Sequence, residues 1–229
     1  MSTTPDPKQS RTPASPTSHT SLTERRKAAT RMDIARAAAH LFVTQGLRAT
    51  RAEDIAQAAG IAPRTFYRYF ATKEEAVSPL YAAGAQRWAE AVREAPAGLS
   101  VPKALEHAVR YTLTPGAGVS ASSWQWVRTL IRLADTNPAV RKVWAQVCQA
   151  SERTLAQVLA ARTATEPDNV ADTPQLRFAA AVACAAVRVA LETWATGNAP
   201  ADGPHGPAAL ALHNLNSLSG FRWSPENTD

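Results

Sequence analysis

The stretch Thr50–Glu75, TRAEDIAQAAGIAPRTFYRYFATKEE, decides how this chain folds. Its spacing predicts a short helix over Arg51–Ala59, with Thr50 as the N-cap. Glu53 and Asp54 favour the first turn through the helix dipole, and Ile55 and Ala59 face inward. Gly60 stops it. A second helix follows over Pro63–Phe70, where Pro63 has no N–H to lose in the first turn. Phe66 and Phe70 stand at i and i+4 and share one face, which anchors the helix. Arg64, Thr65, Arg68 and Tyr69 are left on the other faces. Two short helices around a glycine-containing turn describe a helix-turn-helix. The polar face of the second is free to enter a DNA major groove, which admits one helix.

Upstream, a longer helix is expected over Thr23–Gln45. Ile34, Ala38, Leu41 and Phe42 form its apolar stripe, and Gly46 ends it as a left-handed cap. Residues 1–22 are rich in Ser, Thr and Pro and are expected to be a disordered tail. Charge is lopsided. The chain carries 25 Lys/Arg and 19 Asp/Glu, and residues 1–80 hold 12 and 7 of these, an excess of five basic groups. A basic N-terminal part suggests a polyanion partner, nucleic acid first.

Downstream, helices are expected over Lys73–Glu94, Pro102–Leu113, Ser122–Asp135, Pro138–Arg162, Pro174–Thr196 and Pro207–Leu218, about nine in all. Pro79 is expected to bend the first of these. Nothing alternates long enough to make a strand. The fold class is therefore all-α: a tail (1–22), a helix-turn-helix unit (23–72), a helical domain (73–221) and a short tail (222–229). The helix over Pro174–Thr196 is apolar nearly all round, as expected of a helix buried on two sides, one of them a partner subunit. Its apolar run Phe178–Ala190 is too short for a membrane span and carries Arg188. The N-terminus has no apolar run of a secretory signal. Cys148 and Cys184 read as buried, reduced thiols, consistent with a cytoplasmic location.

The motif in Thr50–Glu75 resembles the DNA-binding signature of the TetR family of transcriptional regulators. The shared pattern is the acidic-Ile-Ala start, the Ala-Gly turn, Thr65–Phe66–Tyr67–Arg68–Tyr69–Phe70, and Lys73–Glu74. The resemblance covers residues 24–80 and implies a homodimer that binds a palindromic double-stranded DNA operator and is released by a small-molecule effector. It also implies phosphate contacts by Thr65, Tyr69 and Lys73. On chemical grounds Arg64 and Arg68 suit guanine edges, and Tyr67 suits a thymine methyl or a phosphate. Thr50 and Arg51 lie where the preceding helix meets the DNA backbone. Arg25, Arg26 and Lys27 form a basic arm for phosphates or the minor groove.

For the helical domain, Trp88, Tyr111, Trp124, Trp126, Trp144 and Trp194 are candidates to line an apolar cavity, with plain core packing as the alternative. His107, Arg128, Arg132 and Arg188 are polar groups set among apolar faces and are candidate ligand contacts. Arg188 needs an anion: Glu192 one turn on, a ligand acid, or an acid across the dimer. Arg128, Arg132 and Asn137–Arg141 are similar to the branch of the family that binds acyl-CoA-like ligands. A hydrophobic drug or aromatic metabolite fits an aromatic pocket as well. No metalloprotease, phosphate-loop or nucleophile-elbow motif is present, and the five His are scattered, which argues against an enzyme and implies no cofactor. The competing reading is a constitutive or architectural DNA-binding regulator with no effector.

Overall fold

The computed structural model describes residues 21–116, 123–164 and 173–223. The residue 1–20 part of the expected tail, the Gly118 break and the 165–172 connection lie outside them. The described residues form nine α-helices and no strand: α1 (Leu22–Thr44), α2 (Ala52–Ala58), α3 (Pro63–Tyr69), α4 (Ser78–Glu94), α5 (Val101–Leu113), α6 (Ser123–Thr136), α7 (Pro138–Thr163), α8 (Pro174–Thr196) and α9 (Pro207–Asn216).

Local chemistry sets the helix ends. Ser21 caps α1, its hydroxyl accepting from the Glu24 N–H. Gly46 and Gly60 hold the left-handed conformations, φ +86° and +68°, that let the chain turn after α1 and α2. Asn137 caps α7 by accepting from the N–H groups of Ala139 and Val140.

Two expectations at helix starts are corrected. Thr50 is not the cap of α2. Its side chain is fully buried and its hydroxyl donates to the Gly46 carbonyl, while the Asp54 carboxylate accepts from the Arg51 N–H. A helix beginning at Lys73 is not found either. A single 3-10 turn, Glu74–Val77, comes first, and Pro79 then sits in the opening turn of α4. A proline there removes no helical hydrogen bond, so the expected bend has no cause.

α1, α2 and α3 enclose an N-terminal core of Ile34, Phe42, Ile55, Phe66 and Phe70. Burying a residue such as Phe66 stabilises by about 1.5–3 kcal/mol. That core does not close on itself. It runs through Val77 and Tyr81 to Leu130, Ala134, Val140 and Val143 of α6 and α7. A second core, centred on Leu105, Leu155, Leu159 and Ala183, holds α4, α5, α7, α8 and α9 together. By length and composition α8 is apolar enough to cross a membrane, but here it is a packed helix against α6, α7 and α9.

Arginines tie the ends of these helices. The Arg162 guanidinium donates to the carbonyls of Val92, Ala95, Pro96 and Leu99, satisfying the C-terminus of α4 and its turn. Arg162→Ala leaves several of these acceptors without their donor. Urea unfolding should show a loss of about 2–3 kcal/mol.

Candidate DNA-binding surface and effector cavity

The DNA-facing candidates fall into two groups. Arg64, Tyr67 and Arg68 stand at i, i+3 and i+4 of α3 and are exposed, opposite the buried Phe66 and Phe70. The Tyr67 hydroxyl donates to Glu53 of α2 at 3.3 Å, which ties the exposed faces of the two helices. The Arg31 guanidinium lies 5.1 Å from the centre of the Phe70 ring and holds α1 to the end of α3. Arg51 is exposed, and Thr65 and Tyr69 are half-buried. Arg25, Arg26 and Lys27 are exposed on the first turns of α1, with Lys27 paired to Glu24 at 2.9 Å.

Thr50 and Lys73 are placed differently. Thr50, being buried, presents no side chain to DNA. The Lys73 ammonium donates to the carbonyls of Leu47 and Thr50 at 2.7 and 2.8 Å. It straps the α1–α2 connection to the start of the linking segment, a contact across 23 and 26 residues of chain.

Beyond this surface lies a cavity of about 600 Å³, within the range of small-molecule sites. α1 contributes Arg36 and Ala39, α4 contributes Tyr81, Gly84 and Trp88 among others, α5 contributes Thr112 and Leu113, and α6 to α8 supply the rest. Four of the expected residues meet there on α4, α6 and α7: Trp88, Trp124, Trp126 and Trp144. Arg188 joins them from α8, pairing with Glu192 at 2.9 Å. The second Glu192 oxygen accepts from the Trp144 indole at 2.8 Å.

His107, Tyr111, Arg128, Arg132 and Trp194 do not line it. His107 and Tyr111 lie on the exposed side of α5, because Ala104, Leu105, Ala108 and Val109 form its buried stripe. Arg128 is buried elsewhere. Its guanidinium lies over the Trp194 ring, 4.1 Å from the centroid, and donates to the Ala199 carbonyl. Burial, and then the neighbouring Arg132, lower its pKa. Arg132 donates to the carbonyls of Ala195 and Gly197, so these two arginines satisfy the C-terminal end of α8 and the loop beyond it.

Residues not expected at the cavity also line it, among them Tyr81, Thr112, Cys148, Ser151, Glu152 and Cys184. The signal existed for α7: Trp144, Val147, Cys148, Ser151 and Glu152 fall at i, i+3, i+4, i+7 and i+8, one helical stripe. The Tyr81 hydroxyl donates to the Leu130 carbonyl at 2.6 Å, and burial raises its pKa, so the phenol stays protonated. Trp126 reaches from the cavity wall to His40 of α1, the rings stacked at 5.7 Å.

The geometry is that of a helix-turn-helix unit seated on a helical domain with a cavity at their junction. Residues 34–77 match the family model of the bacterial regulatory proteins of the tetR family, and residues 99–205 match that of the MftR C-terminal domain. The HTH-type transcriptional regulator TcmR of Streptomyces glaucescens is 31% identical over 176 residues, 76% of each chain. FadR of Thermus thermophilus, a repressor solved with lauroyl-CoA, overlays with a TM-score of 0.52 at 23% identity, covering 87% of this chain and 98% of that one. Salmonella enterica GusR overlays with a TM-score of 0.52 at 22% identity, covering 84% and 94%. The chain belongs to the TetR family. It is a DNA-binding transcriptional regulator and not an enzyme.

Burial pushes the thiols of Cys148 and Cys184 up to about 12. Little thiolate then exists at pH 8, and the thiolate is the reactive form. Iodoacetamide at pH 8 should modify both cysteines at least about a hundredfold more slowly in the folded protein than in urea. Peptide mass mapping of the two states checks this.

Proposed function

We propose that this chain is a cytoplasmic repressor that binds a palindromic operator as a homodimer and leaves it when a small hydrophobic or acyl-type effector fills the cavity. One observation carries the reading: the cavity wall includes Arg36 and Ala39 of α1, so an occupant touches the DNA-binding unit directly. A cavity of this size favours an effector over the constitutive or architectural alternative, which a filled core would have supported. The lauroyl-CoA complex of the Thermus thermophilus regulator lends support to an acyl-type ligand. The division of labour follows: residues 23–72 bind DNA and residues 73–221 hold effector and partner.

In this account Arg64 and Arg68 read bases, and Thr65, Tyr67, Tyr69, Arg51 and the Arg25–Lys27 arm hold phosphates. Lys73 supports this surface through its strap and can offer a phosphate only its backbone. Phe178 and Val189, 57% and 44% exposed on α8, support pairing of α8 and α9 with their copies. The two recognition helices then stand about one DNA turn apart, roughly 34–36 Å, or a multiple of it.

Fluorescence anisotropy on duplexes selected by the protein from a random pool, across a salt series, tests the reading. Binding should be saturable and should weaken steeply with salt. Arg64→Ala should lose about 1–3 kcal/mol and relax preference at one base pair. Lys73→Met should weaken all duplexes alike, through the lost strap. No preference over scrambled DNA, or an unchanged base preference in Arg64→Ala, contradicts these assignments.

A further inference from the structure

Acidic groups in the helix-turn-helix unit and its linking turn mostly have a local task. Glu24 pairs with Lys27, and Asp33 with Arg36. Asp54 accepts from the Arg51 N–H, and Glu75 accepts from the Ala71 N–H at 3.0 Å. Glu74 opens the 3-10 turn. Glu53 differs. It is exposed in the first turn of α2 and forms no ion pair among the described residues. An acid there favours the helix dipole, a task that Asp54 already serves. The partner of Glu53 is a phenol, the Tyr67 hydroxyl of α3, which donates to it at 3.3 Å.

That contact fixes where the carboxylate stands. The Tyr67 ring meets the fully buried Phe66 ring edge-on, with centroids 5.4 Å apart. Tyr67 shares the exposed face of α3 with Arg64 and Arg68. Glu53 therefore stands beside the groove-facing side chains, although it belongs to α2. One of its oxygens accepts from Tyr67, and the other accepts from nothing among the described residues. A carboxylate on this face costs affinity, because DNA is a polyanion. The cost is offset only where the DNA presents a hydrogen-bond donor.

We propose that Glu53 is a specificity-determining residue whose free carboxylate oxygen accepts from the exocyclic amino group of a cytosine in the major groove. Cytosine presents a donor alone there. Adenine sets an N7 acceptor beside its amino group, and thymine and guanine present acceptors and no donor. The carboxylate repels those edges, so it selects by rejection as well as by bonding. Tyr67 positions Glu53 in the free protein and leaves the carboxylate to the base when its hydroxyl turns to a phosphate. The inference rests on the reading that α3 lies in the major groove.

A base scan of the duplex selected by the unaltered full chain, read by anisotropy at fixed salt, is the test. Each C·G pair is changed in turn to T·A, which replaces the amino donor by a carbonyl acceptor. At one cytosine of each half-site the unaltered protein should bind at least about fivefold more weakly. Glu53→Gln keeps the shape and the acceptor for Tyr67, but its amide can also donate to thymine. It should cut that penalty to about twofold or less and leave the penalties at other pairs as they were. Glu53→Ala, the second variant, should lose the same penalty, and circular dichroism checks both folds. A Glu53 that only supports α2 would lower the melting temperature and weaken every duplex alike, with the cytosine penalty intact. That result overturns the proposal, as does the absence of any cytosine whose penalty falls in the two variants. Arg64→Ala, run alongside, separates the failures. If it relaxes preference at its own base pair while the Glu53 variants relax none, the proposal falls and the DNA-binding reading stands. If the unaltered protein selects no sequence, both fall.

Discussion

The apolar contact running from α1 through Val77 and Tyr81 into α6 and α7 is the constraint on which the rest depends. A three-helix unit of this size buries little on its own. Here its core borrows Leu130, Ala134, Val140 and Val143 from the larger domain. The Tyr81–Leu130 hydrogen bond and the His40–Trp126 stack lie along the same junction. The recognition helix therefore cannot be oriented independently of α4 and α6. A molecule that moves Trp126 or Tyr81 bears on α1, because packed interiors shift between discrete arrangements and do not deform smoothly.

Several cationic side chains donate to backbone carbonyls at helix ends. Arg162 satisfies the end of α4, Arg128 and Arg132 the end of α8 and the loop after it, and Lys73 the turn between α1 and α2. Such contacts fix where helices stop, and with them the cavity's shape. Arg128, Arg132 and Lys73 are also cations that sequence reasoning would spend on ligand or DNA.

The helix-turn-helix was legible because its signals are local. Gly46, Gly60 and Pro63 mark the turns, and Phe66 and Phe70 mark the buried face. The Arg188–Glu192 pair was legible for the same reason, being one helical turn apart. The roles of Arg128 and Lys73 were not, since their acceptors lie 71 and 23–26 residues away. Thr50 misled because a buried threonine bonded to Gly46 and an exposed N-cap look alike in sequence. His107 and Tyr111 could have been set aside from the stripe of Ala104, Leu105, Ala108 and Val109, which turns them outward.

The claim that cavity occupancy controls DNA binding can be tested without knowing the natural effector. Gly84 of α4 lines the cavity, and a Cβ there would meet nothing within 4 Å. Gly84→Phe should place a ring in that space and act as a built-in occupant. Anisotropy on the duplex selected by the unaltered protein, at fixed salt, gives the answer. The account predicts a folded variant that has lost fluorescence response to cavity probes and binds the duplex about tenfold or more weakly, in the range of ordinary allosteric coupling. Unchanged DNA affinity in a variant whose cavity is demonstrably filled would contradict it.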